Sequence, residues 1–281
     1  MKIITSIKEM QQYASRIKRS GKTIGFVPTM GYLHQGHLSL VRQAKRDNDI
    51  VVMSIFVNPI QFGPKEDFKK YPRDLKADSA QAASAGVDII FYPSSKTMYP
   101  KDYQTYVEVV ELSKYLCGMS RPGHFKGVAT VVAKLFNIVK PDIAYFGQKD
   151  AQQAAVIKRM AMDLNIGLKV KVMPIVREPD GLAMSSRNAY LSPPQRKDAL
   201  VLKNALQKAV CMIRSDEKNA EKIKLCMRKI VNSVPSSKIE YISIIDAAFL
   251  RDTKEIKGNI LIALAVRIGN TRLIDNVKIR I

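Results

Sequence analysis

The chain has 281 residues, of which 46% are hydrophobic, and this is enough apolar material for a sizeable core and for two domains. Its formal net charge of +21 suits an anionic ligand, but the lysines are scattered and aromatic residues make up only 7%. A small polyanion such as a nucleotide is therefore a better expectation than a polynucleotide, and no nucleic-acid partner is predicted.

The sequence shows no pattern typical of export or membrane insertion. The N-terminal stretch MKIITSIKEM lacks the apolar core of a signal peptide, and the most apolar stretch, NILIALAVRIGN, is too short to span a bilayer. The three cysteines, Cys117, Cys211 and Cys226, are widely spaced and form no C-x-x-C pair, so neither a disulfide framework nor a zinc site is indicated. We expect a cytoplasmic protein without a membrane partner.

In chain order, five apolar runs alternate with helical patterns. The runs are TIGFVPT, DIVVMSIFVN, VDIIFYP, PDIAYFG and LKVKVMPIV, and their continuous apolar character is typical of strands covered on both faces. The helix candidates are HLSLVRQAKRD, DLKADSAQAASAG, GVATVVAKLFNIV and DAQQAAVIKRMAMDLN. This order predicts an α/β domain with a doubly wound, Rossmann-like parallel sheet.

The pattern changes after the stretch VREPDGLAMSSRNAYLSPPQR. Two lysine-rich helices are predicted next, in RKDALVLKNALQKAVCMIRS and NAEKIKLCMRKIVNS. The alternating segments IEYISIIDAAF, GNILIALAVRI and TRLIDNVKI follow and indicate antiparallel strands. We therefore expect a Rossmann-like domain over residues 1–176 and a smaller α+β domain over residues 177–281, with the M-S-S-R segment near its start.

Two histidines follow the first predicted strand, in VPTMGYLHQGHLSL. His34 and His37 are three residues apart, and Gly31 and Gly36 allow close approach of the backbone. A helix that begins near His37 would place both imidazoles on one face and direct N–H groups at an anion. A single histidine is more often a core or surface residue, but ligands of this sheet type bind beyond the carboxyl ends of its strands. Zinc is not predicted, because no Cys, Asp or Glu lies nearby at ligand spacing.

Polar residues also follow three other predicted strands. The segment NPIQFGPKEDFKKYPRD carries Asn58, Gln61, Tyr71 and Arg73, which either bind a ligand or belong to a surface Ω-loop.

The segments FGQKDAQQ and VREPDGLAMSSRN follow the last two predicted strands. Lys149 and Asp150 open a helix, with Gln153 one turn further, and a lysine at that end opposes the helix dipole unless an anion binds there. The residues Ser185, Ser186 and Arg187 supply two hydroxyls and a guanidinium in succession. The Lys149 segment therefore predicts a phosphate ligand, whereas a Pro-Asp-Gly turn explains the first half of the second segment but not M-S-S-R.

With these residues in view, the chain resembles the pantoate–β-alanine ligase (pantothenate synthetase) family over essentially its full length. The resemblance lies in PTMGYLHQGH, FVNPIQFG, RPGHFKGVATVVAKLFNIVKPD, YFGQKDAQQ, MSSRNAYLS and AVRIGNTRLIDN. The H-x-G-H signature is shared with nucleotidyltransferases and class I aminoacyl-tRNA synthetases, and M-S-S-R is similar to the K-M-S-K-S loop of the synthetases. The chain departs from the family pattern at Tyr32, Gln35 and Ala151.

The resemblance implies roles for individual residues. It implies that pantoate binds at Gln61 and Gln153, that β-alanine also binds near Gln61, and that His37 is catalytic, with His34 and Lys149 as further catalytic candidates. It places ATP at Met30, Gly31, Tyr32, Leu33, His34, Gln35, Gly36, His37, Gly147, Gln148, Lys149, Asp150, Val176, Met184, Ser185, Ser186 and Arg187.

The resemblance also implies a reaction, the last step of pantothenate biosynthesis. ATP activates pantoate as pantoyl adenylate with release of pyrophosphate, and β-alanine then displaces AMP to give pantothenate. Mg²⁺ is implied by the triphosphate, and a homodimer is implied by the family. The alternatives are an H-x-G-H nucleotidyltransferase with a different acceptor and a non-catalytic basic RNA-binding protein.

Overall fold

The computed structural model describes residues 1–64 and 66–281, and it divides the chain into two compact units. The first unit comprises Met1–Ser113, Arg121–Gly147 and Gln153–Pro174. The second unit comprises Lys114–Ser120, Gln148–Gln152 and Ile175–Ile281. Lys65, which falls in the predicted Asn58–Arg73 loop, lies outside the described residues. The partition into independent domains at residues 176 and 177 remains a prediction.

A six-stranded parallel sheet forms the centre of the first unit. Its strands are β1 (Lys2–Ile4), β2 (Ile24–Thr29), β3 (Ile50–Ile55), β4 (Ile89–Phe91), β5 (Ile143–Gly147) and β6 (Lys169–Met173). They lie in the order β1-β4-β3-β2-β5-β6, so the chain proceeds from β2 to one side and later to the other. The predicted doubly wound sheet is thus confirmed, and such a sheet binds ligands beyond the carboxyl ends of its strands.

The helices of this part of the chain are α1 (Ile7–Arg19), α2 (Gln35–Asp47), α3 (Leu75–Ala85), α4 (Ser95–Met98), α5 (Cys117–Ser120), α6 (His124–Val139) and α7 (Ala151–Asp163). All of them belong to the first unit except α5 and the first two residues of α7. The sequence did not predict α1, whose buried residues are only Met10 and Ala14, or the three-residue strand β1. Helix α2 begins at Gln35, two residues before the predicted start near His37.

An antiparallel sheet covered by helices forms the second unit. Helices α8 (Pro193–Asp198), α9 (Val201–Arg214) and α10 (Ala220–Asn232) precede strands β7 (Ser237–Asp246), β8 (Asn259–Ile268) and β9 (Thr271–Arg280). Strand β8 pairs with both β7 and β9, and its even-numbered residues from Ile260 to Ile268 pack with α9 and α10. The smaller α+β unit at the C-terminus was predicted and is confirmed.

One predicted helix is two helices in the structure. The sequence pattern indicated a continuous helix from Arg196 into residue 215, but α8 ends at Asp198 and α9 begins at Val201. The amide of Leu200 bonds to the carbonyl of Lys197, three residues back, and this 3₁₀-type turn interrupts the α-helical hydrogen bonding. Within residues 1–64 and 66–281, no helix combines the length and apolar character needed to cross a membrane.

Candidate active site

The histidine loop between β2 and α2 is fixed by the two histidines themselves. His34 is the N-cap residue of α2, and its Nδ1 atom accepts a hydrogen bond from the amide of Gly36 at 3.1 Å. The Nδ1 atom of His37 accepts in turn from the amide of His34 at 3.3 Å. These reciprocal bonds satisfy amides that a helix start leaves unpaired. The helix therefore begins earlier than predicted because a histidine takes the role usually filled by Ser, Thr, Asp or Asn.

The capping arrangement also selects the tautomer of each neutral ring. A ring nitrogen that accepts a hydrogen bond carries no proton, so each neutral imidazole has its proton on Nε2. The ring centroids of His34 and His37 lie 4.0 Å apart with an interplanar angle of 34°. Two neighbouring rings that each carry a donor on Nε2 thus lie at the carboxyl end of β2.

A buried carboxylate on α3 holds the start of the same loop. Asp78 is 2% exposed and accepts hydrogen bonds from the amides of Tyr32 at 2.9 Å and Leu33 at 2.8 Å. Burial raises the pKa of Asp78, although these two hydrogen bonds oppose the shift. The backbone of Gly31 and Tyr32 has positive φ, 84° and 51°, so this contact stabilises a turn that a tyrosine disfavours. Sequence reasoning did not identify Asp78.

Gln61, a predicted pantoate and β-alanine ligand, lies in a buried polar cluster. The amide nitrogen of Asn58 donates to Gln61 Oε1 and to the carbonyl of Gly127, both at 3.1 Å. Gln61 Nε2 lies 3.0 Å from the sulfur of Met30, which brings two predicted site residues together. Asn58 and Gln61 are 1% and 8% exposed, so this part of the predicted loop is interior rather than a surface Ω-loop.

The backbone of helix α6 lies directly against the backbone at Gln61, because Gly127 places no side chain between them. A Cβ atom at Gly127 would meet the carbonyl of Ile60 and would lie 2.7 Å from the backbone nitrogen of Gln61. The hydroxyl of Tyr99 donates to Asn58 Oδ1 at 2.8 Å from the other side of the cluster. The short 3₁₀ turn Pro59–Gln61 is therefore held by helix and loop together.

The third histidine, for which no role was predicted, also contacts the Gln61 segment. His124 Nδ1 lies 2.8 Å from the carbonyl oxygen of Gln61, and its Nε2 lies 2.9 Å from Arg121. Arg121 forms a two-point ion pair with Glu66, with distances of 2.7 and 2.6 Å. Burial raises the pKa of Glu66, but the hydrogen bonds and charge of Arg121 outweigh it, so the net pKa is lowered. All three side chains thus brace the loop after Gln61.

A cavity of about 670 Å³ opens at the carboxyl ends of the strands of the first unit. Its lining includes Met30, Phe56, Arg73, Asp78 and Tyr92. The Arg73 guanidinium donates to the carbonyls of Phe68 and Tyr71 at 3.0 Å, so it orders the loop around the cavity. Met30 is the one predicted ATP-site residue in this lining, and it connects the cavity to the Gln61 cluster.

The remaining predicted residues are distributed over both units. Gly147 ends β5, and Gln153 is half-buried in the first full turn of α7; both belong to the first unit. Gln148, Lys149 and Asp150 form a 3₁₀ turn of the second unit, with Lys149 Nζ 3.9 Å from the Asp150 carboxylate.

A hairpin of the second unit carries the other predicted ATP residues. The amide of Met184 donates to the carbonyl of Val176 at 3.0 Å, which closes the hairpin. Ser185 caps the next 3₁₀ turn, Ser186–Tyr190, and its Oγ accepts from the amide of Arg187 at 3.3 Å. The M-S-S-R segment is thus an ordered turn that the Ser185 hydroxyl caps.

Comparison with known proteins decides the family. A profile described as pantoate-beta-alanine ligase matches residues 2–278. The chain belongs to the pantoate–β-alanine ligase family. It is 56% identical to the pantothenate synthetase of Heliobacterium modesticaldum, with both chains covered completely, and 57% identical to that of Fervidobacterium nodosum, with 99% of each chain covered.

Solved structures of the pantoate–β-alanine ligase family share the fold. The pantothenate synthetase of Thermus thermophilus has a TM-score of 0.94 at 43% identity, with 99% of each chain covered. The pantoate–β-alanine ligase of Francisella tularensis, complexed with beta-gamma ATP and β-alanine, has a TM-score of 0.77 at 38% identity; 99% of this chain and 97% of that chain are covered. The predicted family, fold class and ligase activity are confirmed: the chain is an enzyme that joins pantoate to β-alanine in pantothenate biosynthesis.

Proposed function

We propose that the chain forms pantothenate through a pantoyl adenylate. A carboxylate oxygen of pantoate attacks the α-phosphorus of ATP, and the bond to the β-phosphate breaks with release of pyrophosphate. The β-alanine amine then attacks the acyl carbon, the bond to AMP breaks, and the amine proton passes to solvent. The observation that carries the proposal is the pair of Nε2–H donors that the mutual capping of His34 and His37 presents after β2.

The charge changes of this reaction match the donors of the chain. Negative charge builds on the α-phosphate and on the leaving pyrophosphate, and preorganised donors stabilise such charge by roughly 10²- to 10³-fold in rate each. In this proposal His34 and His37 contact the phosphates, together with Lys149, Ser185, Ser186 and Arg187. The K-M-S-K-S-like position of the M-S-S-R segment supports a grip on the leaving group, which directs attack to the α-phosphorus.

Two glutamines are proposed to bind the small substrates. A glutamine amide both donates and accepts, so it can pair with a hydroxyl and a carboxylate of pantoate. Gln61 lies in the cluster with Met30 and Asn58, and the Francisella tularensis relative was crystallised in complex with β-alanine and beta-gamma ATP. We assign pantoate to Gln61 and Gln153, and β-alanine to Gln61.

We expect Mg²⁺ to bind together with ATP, not at a metal site built from protein side chains. In the described part of the chain, no three His, Cys, Asp or Glu side chains gather into a metal-ligand group. Phosphate oxygens and water would then supply most ligands, with the half-exposed Asp150 as an acidic neighbour of the Lys149 segment. When bound, Mg²⁺ withdraws charge from the phosphates. A homodimer and a cytoplasmic location are further proposals, supported by the family and by the cysteine pattern.

Isotope transfer tests the adenylate route. Pantoate labelled with ¹⁸O in both carboxylate oxygens should deliver one label to AMP and retain one in the amide carbonyl of pantothenate. Labelled pyrophosphate should exchange into ATP when pantoate is present and β-alanine is absent. Label in inorganic phosphate, with ADP as co-product, would overturn the route and the roles given to the histidines and to the M-S-S-R segment.

A further inference from the structure

Strand β9 carries a carboxylate and an amide in succession, both buried. Asp275 is 2% exposed and Asn276 is 4% exposed. Burying such groups costs free energy unless hydrogen bonds replace their contacts with water. The partners of the two side chains therefore indicate what this strand holds in place.

Asn276 holds the backbone of the Lys149 segment. Its Nδ2 atom donates to the carbonyl oxygens of Gln148 at 3.0 Å and Lys149 at 2.9 Å. Its Oδ1 atom accepts from Nε2 of Gln148 at 2.9 Å. One side chain thus makes three hydrogen bonds to two consecutive residues, and it leaves the Lys149 ammonium to other contacts.

Asp275 holds the hairpin that leads into the M-S-S-R segment. Its two carboxylate oxygens accept from Arg177 at 2.7 and 2.9 Å, a two-point contact of the kind that fixes orientation. Arg177 also donates to the carbonyl of Gly181 at 3.1 Å and bridges Ala183 across the hairpin. The guanidinium therefore contacts the turn of the Val176–Met184 hairpin and ties the hairpin to β9.

The two contacts lie on opposite faces of one strand. Asp275 is opposite Leu264, which packs against α9 and α10, whereas Asn276 is opposite Ala263, on the other face. The amide of Asn276 also donates to Asp275 Oδ1 at 2.8 Å, so the two groups are directly linked. Two consecutive side chains of β9 thereby contact both segments.

We propose that Asp275 and Asn276 are a positioning pair that sets the Gln148–Lys149 turn and the Val176–Met184 hairpin relative to each other for nucleotide binding. The inference rests on the proposed function, which assigns both segments to ATP. Phosphate donors act only within a few tenths of an ångström of their productive positions, so a shift of either segment weakens ATP binding. Neither side chain needs to touch a substrate.

Steady-state kinetics of the full-length enzyme test Asn276. We expect Asn276→Ala to raise the KM for ATP about tenfold or more, because two carbonyls lose their donor, while the KM for pantoate stays within about twofold. Asn276→Ser, whose hydroxyl replaces one of the three bonds, should fall between Asn276→Ala and the wild type. Amide exchange of peptides covering Gln148–Asp150 should be faster in both variants and unchanged in strand β8. The matched control is Asn259→Ala, an exposed asparagine of the same sheet that should leave both KM values unchanged.

Several outcomes would overturn the proposal. A folded Asn276→Ala enzyme with wild-type KM for ATP would do so, and so would an equal rise of both KM values, which indicates general loosening. If Asn276→Ala does not fold, the Asn276→Ser enzyme decides by the same two KM values. Should the wild type release ADP and phosphate, the adenylate route fails, but the ratio of ATP KM values between variant and wild type still decides the role of Asn276.

Discussion

The histidine loop of the first unit and the Gln148–Lys149 turn of the second unit are fixed in different ways. In the first unit, His34 and His37 cap each other across three positions of the chain. In the second unit, Asn276 holds the backbone of Gln148 and Lys149 across 128 and 127 positions. A local cap forms as soon as its helix forms, whereas a long-range contact requires the antiparallel sheet to be complete. Substitutions of local contacts and of long-range contacts should therefore differ in how much they change activity and how much they change stability.

The largest expected effect tests the local side of this comparison. His37→Ala should lower the adenylation rate by about two orders of magnitude or more, as loss of a transition-state donor does, with little change in melting temperature. His34→Ser retains an oxygen that can cap α2 but loses the imidazole, so it should be folded and similarly impaired. Single-turnover formation of pyrophosphate and thermal unfolding are the two measurements. Active variants that melt much earlier would mean that the histidines serve only the helix.

Asp78 holds the start of the histidine loop through a long-range contact, because it reaches Tyr32 and Leu33 across 46 and 45 positions. We expect Asp78→Ala to reduce the free energy of unfolding by about 1–3 kcal/mol, since two amides lose their acceptor. Activity should fall by about tenfold as the histidine loop shifts. Asp78→Asn, which keeps one acceptor oxygen, is the matched variant and should lie between. Chemical denaturation with unchanged midpoints for both variants would contradict this role.

The smallest expected effect concerns the Asp47 carboxylate, which lies at the end of α2 and contacts side chains of β5 and β6. Asp47 accepts hydrogen bonds from Lys171 and Tyr145, both at 2.7 Å, and from Gln43 at 2.9 Å. Led by the Lys171 hydrogen bond, these contacts lower the pKa of Asp47 from 3.8 to about 2. A lowered carboxylate pKa stabilises the fold above the unfolded-state value, near pH 4, and this stabilisation is lost as the pH falls through about 2.

Asp47→Asn should therefore cost about 1 kcal/mol at pH 7, after allowance for solvent screening, without changing activity. The difference between variant and wild type should shrink between about pH 4 and pH 2 in acid-unfolding curves. The matched control is Asp163→Asn, because Asp163 is more exposed and pairs with Arg159 on α7. Its loss of stability at pH 7 should be smaller than that of Asp47→Asn. A constant difference across that pH range would show that the charge of Asp47 is not the cause.

Sequence patterns predicted those parts of the molecule whose structure depends on residues close together in the sequence. The continuous apolar runs indicated β2 to β6, and the strand ends indicated the histidine loop and the Lys149 turn. Strand β1 was missed because three residues carry no periodicity, and α1 was missed because its buried face is narrow. The α8–α9 break was missed because no glycine or proline marks Ala199.

The supporting contacts of the site could not be predicted in the same way. Asp78, Tyr99 and Asn276 are ordinary residues of a helix, a loop and a strand, and only the fold brings them to the segments that they hold. His124 carried a weak signal in the R-P-G-H segment, but nothing in the sequence indicated that it would meet the Gln61 carbonyl. The roles of the individual site residues remain predictions that the kinetics above can test.

If Gln61 binds pantoate as proposed, the close approach of α6 to the Pro59–Gln61 turn limits how the substrate range of this enzyme can evolve. Because a methyl group at Gly127 would overlap the backbone at Ile60 and Gln61, no stepwise increase in side-chain size is open at that position. Laboratory libraries aimed at acids larger than pantoate should therefore leave residue 127 unchanged. They should vary Met30 instead, a flexible side chain that borders both Gln61 and the neighbouring cavity, where shortening creates room without moving the helix.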